Sequence, residues 1–190
     1  MDLPGGGWTV IQRRVSDNVS FNRNWTDYQD GFGDLEADHW LGLDNIHDIV
    51  SKPSTTFELY IDMERYHPFP ETNMVTAFAL YQSFSIAGEM DNYRLTIGVL
   101  DPSSNAGDSL VDHNQMEFST PDRDNDISFS AHCAQRFSAG WWFRSCRDSL
   151  LNGRWYDMGD QLGADDGIIW ETWLGDTQGL SYVEMAVRPV

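Results

Sequence analysis

Phe57, Leu59, Ile61 and Met63 alternate with Glu58, Tyr60 and Asp62, a period of two that places the four apolar side chains on one buried face of a strand. The run Trp8–Gln12, entered through Gly5, Gly6 and Gly7, predicts another strand. Further strands are expected over Val75 to Ile86 and Tyr93 to Leu100, and the alternation of Tyr182 to Arg188 predicts a last strand that returns to the main sheet. Trp25, Tyr28 and Phe32 stand at helical spacing, with Asn24 as the N-cap and Gly31 and Gly33 as the stop. A second helix is expected to start at Asp44, to bury Ile46, Ile49 and Val50, and to end at Lys52-Pro53.

From about Asp108 to Gly179 the texture changes to glycine, aspartate, asparagine and serine punctuated by large aromatics. A connection that long inside a domain is uncommon and tends to carry function. The pattern therefore predicts an α+β fold in three stretches. About 1–107 forms an antiparallel sheet with a few short flanking helices, about 108–179 forms a loop-rich part, and 180–190 is the returning strand. A cation, a disulfide and packed tryptophans are the candidates for holding the loops. No internal repeat or heptad pattern is present.

The length of 190 residues suits one domain with a substantial core, and 41% apolar residues support a globule. No run approaches the roughly 18 apolar residues of a membrane span. The start, Met1-Asp-Leu-Pro-Gly5, has neither the basic nor the apolar part of a signal peptide, so a secreted protein would be represented here by a mature fragment. A net charge of −18 argues against nucleic acid and anionic membrane surfaces and favours cations. No His pairs with Cys or Ser at a catalytic spacing, and an enzyme is not expected.

Within this composition one stretch concentrates chemistry. Asp122, Asp124 and Asp126 alternate, as converging oxygen ligands of a hard cation do; an acidic turn held by side-chain to backbone hydrogen bonds is the alternative. Cys133 and Cys146 follow without the spacing of a redox or zinc motif, and read as a disulfide stapling its loop, or as a free buried pair. Asn18-Val19-Ser20 and Asn24-Trp25-Thr26 are glycosylation sequons, in keeping with an extracellular address.

The chain resembles fibrinogen-like domains. The residues that carry the resemblance run in order from Gly5 to Pro189. They include Gly5-Gly6-Gly7-Trp8, Asn24-Trp25 with Tyr28, and Trp40-Leu41-Gly42-Leu43-Asp44; further on come Phe118-Ser119-Thr120 with Asp122, Asp124 and Asp126, then Trp141-Trp142, Asn152-Gly153, and Trp170 with Trp173. The family's upstream cysteine-containing segment is absent, so the chain reads as truncated or short at its start. The resemblance implies a calcium ion held by Asp124 and Asp126 and by the main-chain oxygens of Ser128 and of Ser130 or a neighbour. It also implies a ligand pocket beside the second cysteine, entered through a cis Ser145–Cys146 peptide bond, with Phe137, Ser145, Cys146, Arg147, Asp165 and Asp176 as its residues.

In lectin-like members this pocket takes acetyl groups in an aromatic cup. Here Phe137, Arg147, Ala164 and Asp176 replace much of that cup, and Asp165 matches an acid that receives a peptide amine in fibrin. Trp141, Trp142, Trp170 and Trp173 are expected to be structural, and His113 a core hydrogen-bonder. The leading reading is a secreted, calcium-dependent recognition module, binding glycans or other microbial surface molecules in innate defence. The rival is a protein-binding domain of a receptor ligand or polymerising scaffold. Oligomers would form through segments outside this chain.

Overall fold

The computed structural model describes residues 3–65, 75–156, 165–175 and 178–190. The glycine-led run becomes β1 (Thr9–Arg14), followed by α1 (Trp25–Asp30), the short β2 (Phe32–Gly33) and β3 (His39–Trp40), and α2 (Leu43–Val50). The alternating segment is β4 (Phe57–Arg65), followed by β5 (Val75–Tyr81), β6 (Phe84–Ile86) and β7 (Leu95–Ile97). Beyond these lie α3 (Cys133–Phe137), β8 (Ser149–Leu150), β9 (Ile169–Trp170), α4 (Glu171–Leu174) and β10 (Tyr182–Pro189). Six strands form one antiparallel sheet in the order β2-β3-β1-β10-β4-β5. The final strand thus sits at the sheet's centre, between β1 and β4. Phe57, Leu59, Ile61 and Met63 are all buried on the face where Val183, Met185 and Val187 of β10 also point inward.

Several boundaries differ from the expectation. Val75 to Ile86 is not one strand. The chain breaks at Gln82 and Ser83, whose backbones bond Val99 and Gly98, and β6 leaves the main sheet to pair with β7. That small second sheet also shortens the strand expected over Tyr93 to Leu100. Helix α1 keeps its Asn24 cap, whose Oδ1 accepts from Asp27 N at 2.9 Å, but stops at Asp30. Gly31 has φ +96, and a Cβ there would lie 2.6 Å from the Leu41 carbonyl oxygen. Phe32 therefore passes into β2, opposite Trp40. Helix α2 begins at Leu43, one residue early, and buries Leu43, Ile46 and Val50, leaving Ile49 only partly covered.

The core joins the sheet-and-helix half to the loop-rich half through aromatic rings. Tyr28 lies 5.2 Å from Phe118 and 5.7 Å from Trp40, and Phe118 meets Trp142 edge-on at 5.1 Å. The Tyr28 hydroxyl donates to Phe21 O at 2.7 Å and accepts from Gly140 N at 3.1 Å. A Cβ on Gly140 would stand 2.5 Å from the Tyr28 ring. Gly140→Ala is accordingly expected to cost roughly 1–3 kcal/mol through overpacking, read as a lower urea midpoint with an unchanged slope.

Candidate functional site

The acidic loop is folded by its own side chains. Ser119 and Trp141 exchange backbone hydrogen bonds at 2.9 and 3.0 Å, fixing the point where the loop leaves the core. Asn125 N donates to Ser119 Oγ, and Asn125 Nδ2 to Phe118 O. Beyond this anchor, Asp124 Oδ1 accepts from Asp126 N at 3.2 Å and Asp126 Oδ1 from Ser128 N at 2.8 Å, so each aspartate curls the chain over itself. Asp126 Oδ2 accepts from Cys133 N at 2.8 Å, which ties the loop to the start of α3. Asp122 faces elsewhere, accepting from Trp25 N at 2.9 Å and Thr120 Oγ1 at 2.7 Å.

The curl brings one ligand atom each of Asp124, Asp126 and His132 within 4.8 Å of one another. Burial foremost, and then the neighbouring Asp124, push the Asp126 carboxyl above its ordinary range. Two acids in this relation repel each other unless a cation lies between them, and paired carboxylates are the donors a hard divalent ion takes. His132 Nδ1, buried and without a hydrogen-bond partner among the described residues, lies 3.9 Å from Asp124 Oδ1. The alternation of aspartates gave no hint of this imidazole; its place next to Cys133, and so next to the point where Asp126 closes the loop, is the signal that marks it.

Cys133 and Cys146 are joined, with Cα atoms 5.6 Å apart, and the Ser145–Cys146 peptide bond is cis. The turn is closed by Arg144 N donating to Cys146 O at 2.9 Å, and Ile127 N donates to Arg144 O at 3.1 Å. Acidic loop and cysteine turn are thus tied by the disulfide, by the Asp126–Cys133 bond and by the Ile127–Arg144 bond.

Between them opens a cleft of about 290 Å³. It gathers Ser128, Ser130, Phe137, Ser145, Cys146, Arg147 and Asp165, all singled out from the sequence, and adds Arg136 and Glu171. Asp176 and Ala164 lie outside the described residues. The Phe137 ring is flanked by two guanidinium groups, Arg136 at 4.9 Å and Arg147 at 4.8 Å from its centroid. Arg136 pairs with the Asp165 carboxylate at 3.0 Å, while Arg147 donates to the Asp165 main-chain oxygen. Glu171 was missed because Trp170 and Trp173 read as core, and they drew attention from the exposed positions between them.

Behind the turn, His113 is fully buried. Its Nδ1 meets Trp142 O at 2.8 Å, and its Nε2 accepts from the N–H groups of Asp148 and Ser149, both at 3.1 Å. Those partners fix the neutral Nδ1–H tautomer, and burial pulls its pKa down to about 4. A second cavity, about 400 Å³, lies around Arg14, Phe21 and Trp155; it takes in Asn152 and Gly153 of the family-like stretch but none of the residues expected to hold the cation or the ligand. Converging loops and charges make the cleft of about 290 Å³ the candidate site.

Residues 1–190 match the family described as fibrinogen beta and gamma chains, C-terminal globular domain. The chain is 43% identical over 195 residues to Fibrinogen C domain-containing protein 1 of Macaca fascicularis, covering 100% of this chain but only 42% of that relative's length. Among solved structures it is similar to the fibrinogen-like globe domain of human ANGPTL6, with 39% identity, a TM-score of 0.90, and coverage of 99% of this chain and 80% of that one. It is similar also to lamprey fibrin D-dimer complexed with the peptide Gly-His-Arg-Pro-amide, with 33% identity, a TM-score of 0.85, and coverage of 97% and 62%.

Opening the disulfide by Cys133→Ser with Cys146→Ser is expected to cost about 3 kcal/mol, the loop entropy of a ring this size, measured by urea unfolding. For His113, the unfolded side chain takes up a proton below its ordinary pKa of 6.5 whereas the folded one waits until about 4. The unfolded state thus binds more protons in that window, and stability should fall as pH drops through it. Imidazole NMR at pH 5 should still show a neutral Nδ1–H ring; a charged ring there would contradict the assignment.

Proposed function

This chain belongs to the family of fibrinogen C-terminal globular domains, and on that footing we propose that it is an extracellular recognition domain whose ligand is a protein. The observation that carries this reading is Phe129. It stands fully exposed on the acidic loop, between Ser128 and Ser130 of the cleft wall, with exposed Ile127 beside it and exposed Val111 next in sequence to Asp112, which shares a neighbouring cleft with Ile127. An unburied aromatic anchor beside a polar cleft is what a protein partner covers. A peptide is the ligand named for the similar lamprey fibrin structure.

Carbohydrate recognition is the weaker reading. An acetyl methyl or a sugar face needs an open aromatic surface, and Phe137 has guanidinium groups against its ring. Asp165, the counterpart of fibrin's amine receptor, is already paired with Arg136. Nor do we assign catalysis, since both nitrogens of His113 are committed to backbone partners.

We assign calcium as the cofactor, held by Asp124 and Asp126 with main-chain oxygens of Ser128 and Ser130. The ion would cancel the repulsion of the two acids and so hold Phe129 and the cleft wall in place. The residues of this chain do the recognising: Phe129 supplies apolar area, while Arg136, Arg147 and Asp165 supply fixed charges.

Calcium at 100 times its dissociation constant should add about 2.7 kcal/mol of stability, seen as a higher Tm in calcium than in chelator. Asp124→Ala or Asp126→Ala should remove that rise. Asp122→Ala should lower Tm in both conditions and keep the rise, because its carboxylate holds Trp25 N and Thr120. The protein-ligand reading is checked by binding the domain to cultured cells. Binding should be lost when surface proteins are shaved with trypsin, should survive glycosidases, and should drop at least tenfold on Phe129→Ala. Loss with glycosidases alone would favour the carbohydrate reading.

A further inference from the structure

We propose that Asn18 and Asn24 each carry an N-linked glycan, an assignment that rests on the extracellular reading above. Of the chain's asparagines only these two precede Ser or Thr by two positions, with Val19 and Trp25 between. Their side-chain Nδ2 groups are also uncommitted among the described residues, as are those of exposed Asn22 and Asn105, which lack the sequon, whereas five other asparagines are committed. Asn45, Asn92, Asn114, Asn125 and Asn152 all use their side-chain Nδ2 as a hydrogen-bond donor, to Leu41 O, Glu117, Ile97 O, Phe118 O and Gly140 O respectively. Asn18 and Asn24 are exposed, and neither donates its Nδ2 to any described residue.

Local structure explains the presentation. Between β1 and α1 the chain has no strand partner, and it is held down by the apolar side chains of the two sequons. Val19 packs against the core and Trp25 is buried, while Ser20 and Thr26 stay exposed with their asparagines. Asn24 uses only its Oδ1, to cap Asp27 N at 2.9 Å. Glycosylation leaves that carbonyl in place, so cap and glycan are compatible at one residue. In the transfer, Nδ2 bonds to the anomeric carbon of a lipid-pyrophosphate-linked oligosaccharide, losing one proton, and the lipid pyrophosphate leaves. A secretory-pathway transferase supplies donor and catalysis.

The position has a consequence for recognition. Asn18 lies between Asp17 and Val19, both lining the 400 Å³ cavity around Arg14. A glycan there stands at the rim of that cavity and keeps protein ligands off it.

The test expresses the full chain behind a secretion leader in eukaryotic cells. Peptides are then analysed after glycosidase release in heavy-oxygen water, which converts each occupied Asn to labelled Asp. Both sites should be labelled, and Ser20→Ala and Thr26→Ala should each remove one mobility step on gels. Those substitutions leave Asn18 and the Asn24 cap untouched, so loss of a step is not a folding artefact. Secreted protein with Cys133 and Cys146 joined but neither site labelled would overturn the proposal while sparing the extracellular reading. Protein retained with both thiols free would sink the reading on which the proposal rests, and the proposal with it. Label at one site alone would refute the assignment at the other.

Discussion

Buried backbone must find hydrogen-bond partners, and among the described residues of the loop-rich half no long strand or helix supplies them. Buried side chains do so instead. Trp142 Nε1 donates to Tyr93 O, Trp170 Nε1 to Ala106 O, Asn152 Nδ2 to Gly140 O and Gln12 Nε2 to Leu151 O. Arg14 reaches Leu151 O and Gly153 O, and His113 serves Trp142 O together with two N–H groups. Each of these side chains is both a filler of the core and the missing rung of a ladder. The dense aromatic content is therefore what makes an irregular backbone foldable, and the cleft inherits its rigidity from it.

Cys133 is where that rigidity reaches the surface. Its Sγ is fixed to Cys146 and its N–H to the Asp126 carboxylate. Anything that moves Asp126 must move the first residue of α3, and with it the disulfide and the cis turn that floors the cleft. A charge at Asp126 is thus coupled to cleft geometry through one hydrogen bond and one covalent bridge, so an ion can shape ligand binding without touching the ligand.

How far this was legible in the sequence follows from the range of the interactions. Period-two alternation in Phe57–Met63 and Tyr182–Arg188 is local, and it identified the strands that now lie side by side at the sheet's centre. The break at Gln82 was illegible, because it depends on Val99 and Gly98 arriving from a later turn. The end of α1 at Gly31 was nearly visible, but the backbone approach of Leu41 that enforces it is tertiary. At the site, Phe137, Cys146, Arg147 and Asp165 were found through family resemblance, since no local period brings residues so far apart to one cleft. His132 and Glu171 escaped because neither belongs to a repeating pattern.

The cleft's charges bear on what it discriminates. In a chain of 30 acids and 12 bases, Arg136, Arg144 and Arg147 gather around one turn. Arg136 and Arg144 each pair with an aspartate at 3.0 Å, and more than half of each side chain is exposed. Exposed pairs of this kind add little to stability. Their effect is to set charges of alternating sign at fixed points along the rim, where a partner with the complementary order gains and one with the wrong order meets like charges. Phe129 beside them is indifferent to charge and contributes area. For the protein partner proposed above, the aromatic would supply strength and the paired arginines selectivity, and the acidic loop that carries one is tied to the wall that carries the other.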